Sequence, residues 1–442
     1  MSGSYRDPDY FPPLGVSILL GVQHILAMFV SNVTPAVIVA GAAGIGFGAA
    51  DQTPLIVMIQ ASMVFAGVAT LLQTISLGPI GARLPIVQGT SFAFLPIMIP
   101  LVSGGGVSSL SALYGGALCG GIFHLLLAPL VPRIRFALPP LVTGLVVLMI
   151  GLSLIRVGIQ YSAGGVPSQG TAAFGRGESW ALALVVMMAT LGFKFFGRGL
   201  LSTASVLLGI LTGYAVAAVF GRIDTVAVSD AAWFLLPEPL PFGVSFSAAA
   251  IVSFCLIVLV SGIETIGDVS AITQSGAGRR ATDRELTGAT FADGAGTLIA
   301  ALFGGLPNSS FSQNVGLVAM TGVMSRHVVT LGAVFLVLCG LVPKIGAAIV
   351  TIPIEVLGGS VVIMFGMVAA AGLSMLSEVT WSQRNLLIFA TSLSVGLGLQ
   401  LVPDALQHLP SLAQILLASG VLPAAFLAIV MSLALPPLED KE

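Results

Sequence analysis

The chain has 442 residues, only 8% of them charged and 56% hydrophobic, with a mean hydropathy of +1.07; a soluble domain carries about a quarter charged residues. Windows 10–50, 52–82, 84–132, 239–263 and 405–438 contain no Asp, Glu, Lys or Arg, and one bilayer crossing needs roughly 20 apolar residues, so the composition excludes a soluble globular protein and specifies a polytopic membrane protein. A net charge of −2 without any basic run excludes a nucleic-acid partner.

The opening MSGSYRDPDYFPP is polar and mixed in charge. The apolar run behind it is too long for the core of a cleavable signal, so the N-terminus is expected to stay in the cytoplasm. Turn signals and isolated charges divide the rest into about fourteen hydrophobic segments. They are 14–42, 52–76, 86–101, 107–131, 137–155, 179–195, 200–221, 246–272, 288–304, 311–322, 327–349, 355–375, 385–402 and 412–435.

The first segment carries Gln23-His24. A lone membrane His is more often a packed core residue than a ligand or proton carrier, and both readings stay open. The third segment is short and contains QGTSFAFLP, which sets Ser91-Phe92 where a span should be oily; Phe92 could be a platform for a planar solute. The eighth contains SGIETIGDVSAI, with Glu264 and Asp268 one helical turn apart on one face. A carboxylate that deep in a membrane marks a functional site, and Glu264 is the deeper of the two. Asp268 lies nearer Arg279, Arg280 and Arg284, so a solvated or ion-paired role competes. Asp293, in TFADGAGTL of the ninth segment, could relay protons or tie the eighth and ninth segments together. The short tenth segment follows LPNSSFSQNVG, where Gln313 and Asn314 offer amides suited to a heterocycle edge; Asn314 suits helix capping nearly as well.

Irregular backbone at membrane depth is tolerated only against protein or a water-filled cavity. The third and tenth segments are therefore expected to enter extended and continue as half-helices, whose N-termini present free N–H groups to an acceptor-rich solute. Leu84-Pro85 before Ser91-Phe92 and Leu306-Pro307 before Ser310-Phe311 form a coarse internal repeat. Seven segments per half is odd, so the halves must be inverted, and interrupted segments at matching places point to a transporter's midplane site. With the N-terminus inside, Arg6, Arg83, Arg133, Arg135, Lys194, Arg198, Arg279, Arg280, Arg284, Arg326, Arg384 and Lys441 lie on the inner side. Arg156, Arg176, Arg222 and Lys344 lie outside, the asymmetry that both cytoplasmic termini require.

Enzymatic readings find no support. His24, His124, His327 and His408 lie in separate segments, without metal-ligand spacing, and no nucleophile elbow, P-loop or dinucleotide fingerprint is present. Cys119, Cys255 and Cys339 each sit in an apolar stretch and read as small core residues. Uphill transport would then run on an ion gradient with no cofactor. Deep acids make protons the natural coupling ion; sodium stays open.

QNVGLVAMTG, Gln313–Gly322, resembles the signature of the nucleobase/ascorbate transporter family: Gln or Glu, Asn, one residue, Gly, four residues, Thr and a usually basic last position. Gln23-His24, Ser91-Phe92 and Glu264 with Asp268 occupy the places of its other motifs, so the resemblance covers essentially the whole chain. Gly322 departs from it, standing where many members carry Arg or Lys. The resemblance implies an all-α polytopic fold of two inverted seven-segment repeats. It implies a core domain from 14–131 and 246–349, a gate domain from 132–222 and 350–436, and a homodimer. It implies substrate contacts at Glu264, Gln313, Phe92, Ser91, Val315, Gly316 and Ser31, with Asp268, Asp293, Asn314, His24 and Gln23 in proton coupling or support of the site. Asp268 and Gln313 are similar to the xanthine/urate branch, whereas uracil carriers more often have His and Glu there. The implied function is proton-coupled import of xanthine or urate across the cytoplasmic membrane. A uracil or broad nucleobase carrier is the same-class alternative; an anion carrier or channel of related architecture would need a cationic site, against which Glu264 argues.

Overall fold

A computed structural model describes residues 4–47, 49, 51–134 and 139–436. Arg135 and Lys441, counted above in the inner-side balance, lie outside the described residues.

The chain opens with α1, Leu14–Ala43, and α2, Thr53–Ile75, which carries Pro54 in its first turn, where a missing N–H costs nothing. The strand β1, Gln88–Thr90, then runs through a tight turn at Phe92–Phe94 into α3, Leu95–Val102. Next come α4, Leu110–Leu127, and the short α5, Val131–Ile134. They are followed by α6, Pro140–Ser162, α7, Gly177–Phe196, α8, Leu200–Thr203, α9, Ser205–Val219, and α10, Val226–Asp230. The second half opens with α11, Ala248–Ala277, 30 residues like α1. A capping box between Thr282 and Glu285 starts α12, Asp283–Leu302. Strand β2, Asn308–Ser310, leads into α13, Ser312–Thr321, which stops at Gly322 with φ +66°, a left-handed cap that glycine adopts without a Cβ penalty. The chain closes with α14, Arg326–Gly340, α15, Pro343–Val350, α16, Ile354–Leu376, α17, Gln383–Leu401, α18, Ser411–Ala418, and α19, Val421–Ala434.

Among the described residues, seven helices are long and apolar enough to cross a membrane, and up to nine if each bent pair is one span. The expected eleventh segment is such a pair, α14 and α15 meeting at 76°, and the fourteenth another, α18 and α19 at 78°. Pro343 opens α15 and Gly420, at φ +70°, separates α18 from α19, so each bend has a local backbone cause. The seventh expected segment is likewise divided, into α8 and α9.

The two short segments do enter extended and continue as helices. Their strands pair antiparallel, Gln88 opposite Ser310, Gly89 opposite Ser309 and Thr90 opposite Asn308. Ser91 N–H donates to Pro307 O at one end (2.8 Å) and Phe311 N–H to Val87 O at the other (3.0 Å). The ladder satisfies part of this buried backbone, and side chains of the flanking helices take more of it: Gln88 N–H donates to Thr70 Oγ1 (2.9 Å), Thr90 N–H to Asn32 Oδ1 (2.9 Å) and Asn308 N–H to Thr297 Oγ1 (3.0 Å). Helix packing is densest within two groups: α1, α2, α4, α11, α12 and α14, and α6, α7, α9, α16, α17 and α19. Close approach relies on small residues. A Cβ on Gly332 of α14 would sit 2.6 Å from Gly21 O of α1, and one on Gly144 of α6 3.0 Å from Gly372 O of α16. At the N-terminal end, Asp9 pairs with Arg326 (2.6 Å) and Arg83 (3.5 Å), and the Arg326 hydrogen bond holds its carboxyl below the ordinary value.

Candidate functional site

A cavity of about 360 Å3 opens beside the strand pair, between the two helix groups. One wall carries Ala27 of α1, Ser91 and Phe92 before α3, Glu264 of α11, and Gln313 and Gly316 of α13. The other carries Val147 of α6, Val206 of α9, and Met367 and Ala371 of α16, and the cavity reaches exposed Lys194 at the end of α7 and Thr203 of α8.

Glu264 comes from the middle of α11, and its Oε2 is buried with no hydrogen-bond partner. A buried carboxylate oxygen left unpaired is costly, and the half-buried side chain that carries it lines the cavity. Ser91 Oγ is buried and unpartnered as well. The turn after Ser91 and α13 after Phe311 both begin without a side-chain cap, leaving first-turn N–H groups for an acceptor. The Phe92 ring meets Phe365 edge-on, centroids 5.2 Å apart at 86°, which fixes its orientation at the wall.

Asp268 takes a hydroxyl on each carboxylate oxygen, from Ser310 and Ser312, both at 2.8 Å. It therefore pins β2 and α13 to α11. The ion pair that competed for Asp268 in the sequence is not formed: Arg279 binds Glu285 instead, at 2.5 Å. Asp293 accepts from Thr265 Oγ1 (2.5 Å) and from Gln88 Nε2, joining α12 to α11 and β1. Asn314 does not cap α13, whose N-cap is Phe311. Its Oδ1 accepts from Val87 N (3.1 Å) and its Nδ2 meets His24 Nδ1 (2.5 Å), so amide and imidazole together staple α1 to the approach of β1. Gln23 Nε2 donates to Thr203 Oγ1 (3.1 Å), linking the two helix groups near the cavity mouth.

Of the residues expected around a solute, Ser91, Phe92, Glu264, Gln313 and Gly316 line the cavity, whereas Ser31 and Val315 do not. Ser31 is buried and donates to Met364 Sδ (2.9 Å), a contact between α1 and α16. Val315 packs on the apolar cluster of Leu286, Val318 and Met324 because α13 turns that face away. Asn32, whose Oδ1 accepts from Thr90 N (2.9 Å), and Thr265, which holds Asp293, were not expected at the site. A polar residue inside an apolar run was the available signal for both; Ser310 and Ser312 stood out as part of a polar run, but their bonds to Asp268 follow only from the placement of β2 and α13.

Residues 15–405 match the Xan_ur_permease model, described as a permease family. The xanthine permease of Bacillus subtilis is 37% identical over 95% of this chain and 93% of its own length. The uric acid transporter UacT of Escherichia coli is 34% identical over 95% of this chain and 86% of its own. In fold, the chain is similar to the transmembrane domain of a cyanobacterial bicarbonate transporter, BicA, with a TM-score of 0.58, 12% identity and coverage of 96% and 98%. The chain belongs to the nucleobase/ascorbate transporter family, and is an integral membrane permease rather than an enzyme.

Proposed function

We propose that the protein imports a purine base, xanthine or urate, across the cytoplasmic membrane in symport with protons. The observation that carries this reading is Glu264, a half-buried side chain on the wall of a cavity flanked by two uncapped helix starts, with its Oε2 buried and unpartnered. A purine dione presents adjacent N–H and C=O groups around a flat ring. The Glu264 carboxylate accepts ring N–H groups, the Gln313 amide donates to a carbonyl, first-turn N–H groups supply further donors, and Phe92 lies against the ring. The names of the xanthine and uric acid relatives support the same substrate class.

In this reading the chain forms two inverted halves of seven segments. The equal length of α1 and α11 and the strand-then-helix pattern of both short segments support it. Residues 14–131 and 246–349 act as the core that carries the base, and 132–222 and 350–436 as the gate. The cavity runs toward Lys194 and Thr203, the end read as cytoplasmic, so this conformation faces inward. Alternating access moves core against gate, closing the cavity mouth beside Lys194 and parting the Ser31–Met364 side. Both termini are cytoplasmic, and the working unit is a homodimer.

The test is uptake of radiolabelled xanthine and urate into proteoliposomes, competed with a panel of bases, with and without an imposed proton gradient. Saturable xanthine or urate uptake that a proton gradient drives uphill is expected. Preference for uracil would move the assignment to the uracil branch, and dependence on sodium alone would replace the coupling ion.

A further inference from the structure

His124 of α4 is fully buried, and neither ring nitrogen has a hydrogen-bond partner. Buried imidazole nitrogens are normally satisfied, so a pair of orphans asks for a reason. The ring's nearest ionisable partner is Asp293 of α12, Nε2 standing 4.0 Å from Oδ2, and both side chains are closed to solvent. That same Oδ2 accepts from Thr265 Oγ1 at 2.5 Å. Thr265 in turn is 3.4 Å from Ser310 Oγ, which also reaches Asp268 Oδ2 at 2.8 Å and lines the cavity. A chain of hydroxyls thus runs from the cavity wall to a sealed acid–imidazole pair. The ring faces α11 at Gly262, where a Cβ would lie 3.8 Å from Nε2.

We infer that His124 shares the coupling proton with Asp293, whose part in coupling the family resemblance already implies, apart from the base-binding Glu264, and that Ser310 and Thr265 connect this pair to the cavity. The inference rests on the proton-symport reading above. For transfer the Ser310 hydroxyl turns from Asp268 Oδ2 to Thr265 Oγ1; a proton from cavity water then moves onto Ser310 as the Ser310 proton passes to Thr265 and the Thr265 proton to Asp293 Oδ2. Both hydroxyls end unchanged, and the Asp293–His124 pair gains one proton and one positive charge, shared with Nε2. Release runs the same steps backward. The ionisable groups on the elements packed at α4 are Asp293 on α12 with Asp283, Arg284 and Glu285 at its solvent end, Glu264, Asp268 and Cys255 on α11, Cys119 and Tyr114 on α4 itself, and Arg133 on α5. Loading the pair removes one negative charge from beside Glu264 and Asp268, so Glu264 accepts a base more readily when the proton is aboard. Linkage makes the effect reciprocal: bound base raises proton affinity at the pair.

His124→Gln and Thr265→Val should each bind xanthine and exchange labelled for unlabelled base across proteoliposomes near the wild-type rate. Accumulation driven by a pH gradient should fall by about tenfold or more, with matching loss of the proton flux read by an internal pH dye. The pH profile of exchange should flatten, which a purely structural role for His124 would not produce. Wild-type accumulation and flux in both variants would overturn the inference. If His124→Gln does not fold, Thr265→Val decides alone, and unchanged flux there overturns it. A wild-type protein that takes up xanthine with no proton flux would instead overturn the symport reading itself.

Discussion

The two half-helix segments share a backbone plan and differ in chemistry. Both are three-residue strands followed by a short helix, paired antiparallel at the same depth. The first continues as Leu95–Val102, LPIMIPLV, without one polar side chain, and brings Ser91 and Phe92 to the cavity wall. The second continues as Ser312–Thr321, SQNVGLVAMT, and brings an amide, Gln313. An apolar half-helix offers shape, an aromatic face and backbone donors, which any planar base can use. A polar one offers a donor and an acceptor at fixed places, which only some bases match. In the proposed site the first segment therefore sets affinity, the second sets choice, and Glu264 between them anchors the base.

Removing the anchor is the strongest test, because both segments depend on it. Glu264→Gln keeps the shape but replaces an acceptor-only group with an amide that must turn a donor toward ring N–H groups. Uptake is expected to fall below detection, with expression and thermal stability near wild type, since no partner in the protein relies on Oε2. Near-wild-type transport by this variant would remove Glu264 from the site and leave the two segments with nothing to flank.

Within the second segment, adjacent residues face different surroundings. Gln313 lines the cavity, while Asn314 is buried on His24 and Val87. After replacing Cys119, Cys255 and Cys339, Gln313→Cys should react with small polar thiol reagents and be protected by xanthine. Asn314→Cys should react at least about tenfold more slowly, as local opening must precede its exposure. Equal labelling of both would mean that α13 does not present one face to the cavity.

That contrast also shows where the sequence was readable. Polar runs in otherwise oily spans announced extended backbone beside a cavity, and the i, i+4 spacing put Glu264 and Asp268 on one face. Depth also marked Glu264 as the acid for the cavity, which it lines; that Asp268 binds Ser310 and Ser312 depends on where β2 is held, by a pairing of residues 88–90 with 308–310 that local pattern does not encode. His124 was visible only as a lone histidine, because its relation to Asp293 arises from the packing of α4 on α12. Ser31 was expected at the solute only through the family resemblance, and its contact with Met364 arises from the meeting of α1 and α16, which no local pattern announces.

A smaller effect is expected on choice of base. Gln313→Glu converts a group that can donate into one that only accepts when ionised. A purine dione or trione presenting a carbonyl there loses a hydrogen bond and meets a lone pair, costing about 1–3 kcal/mol, roughly ten- to a hundredfold in affinity. Uracil, presenting an N–H, is affected less. The ratio of xanthine to uracil inhibition constants should move toward uracil by at least several-fold, on the order of the lower end of that range. An unchanged ratio with both affinities intact would place the reading group elsewhere on α13.

The smallest effect should come from the first segment and be uniform. Phe92→Leu keeps apolar volume at the wall but removes the ring face, and aromatic contacts are worth about 0.5–1.5 kcal/mol beyond area. Affinity should then fall by roughly two- to tenfold for every base tested. Because a π-face reads planarity and not hydrogen-bond pattern, the xanthine-to-uracil ratio should stay where it is in wild type. The edge-on contact of Phe92 with Phe365 supplies a control: Phe365→Leu lets the Phe92 ring tilt, and should reproduce part of the loss, again without changing the ratio. A ratio that moves in Phe92→Leu as far as in Gln313→Glu would show both half-helices reading the base edge, and the division between an affinity segment and a choice segment would fail.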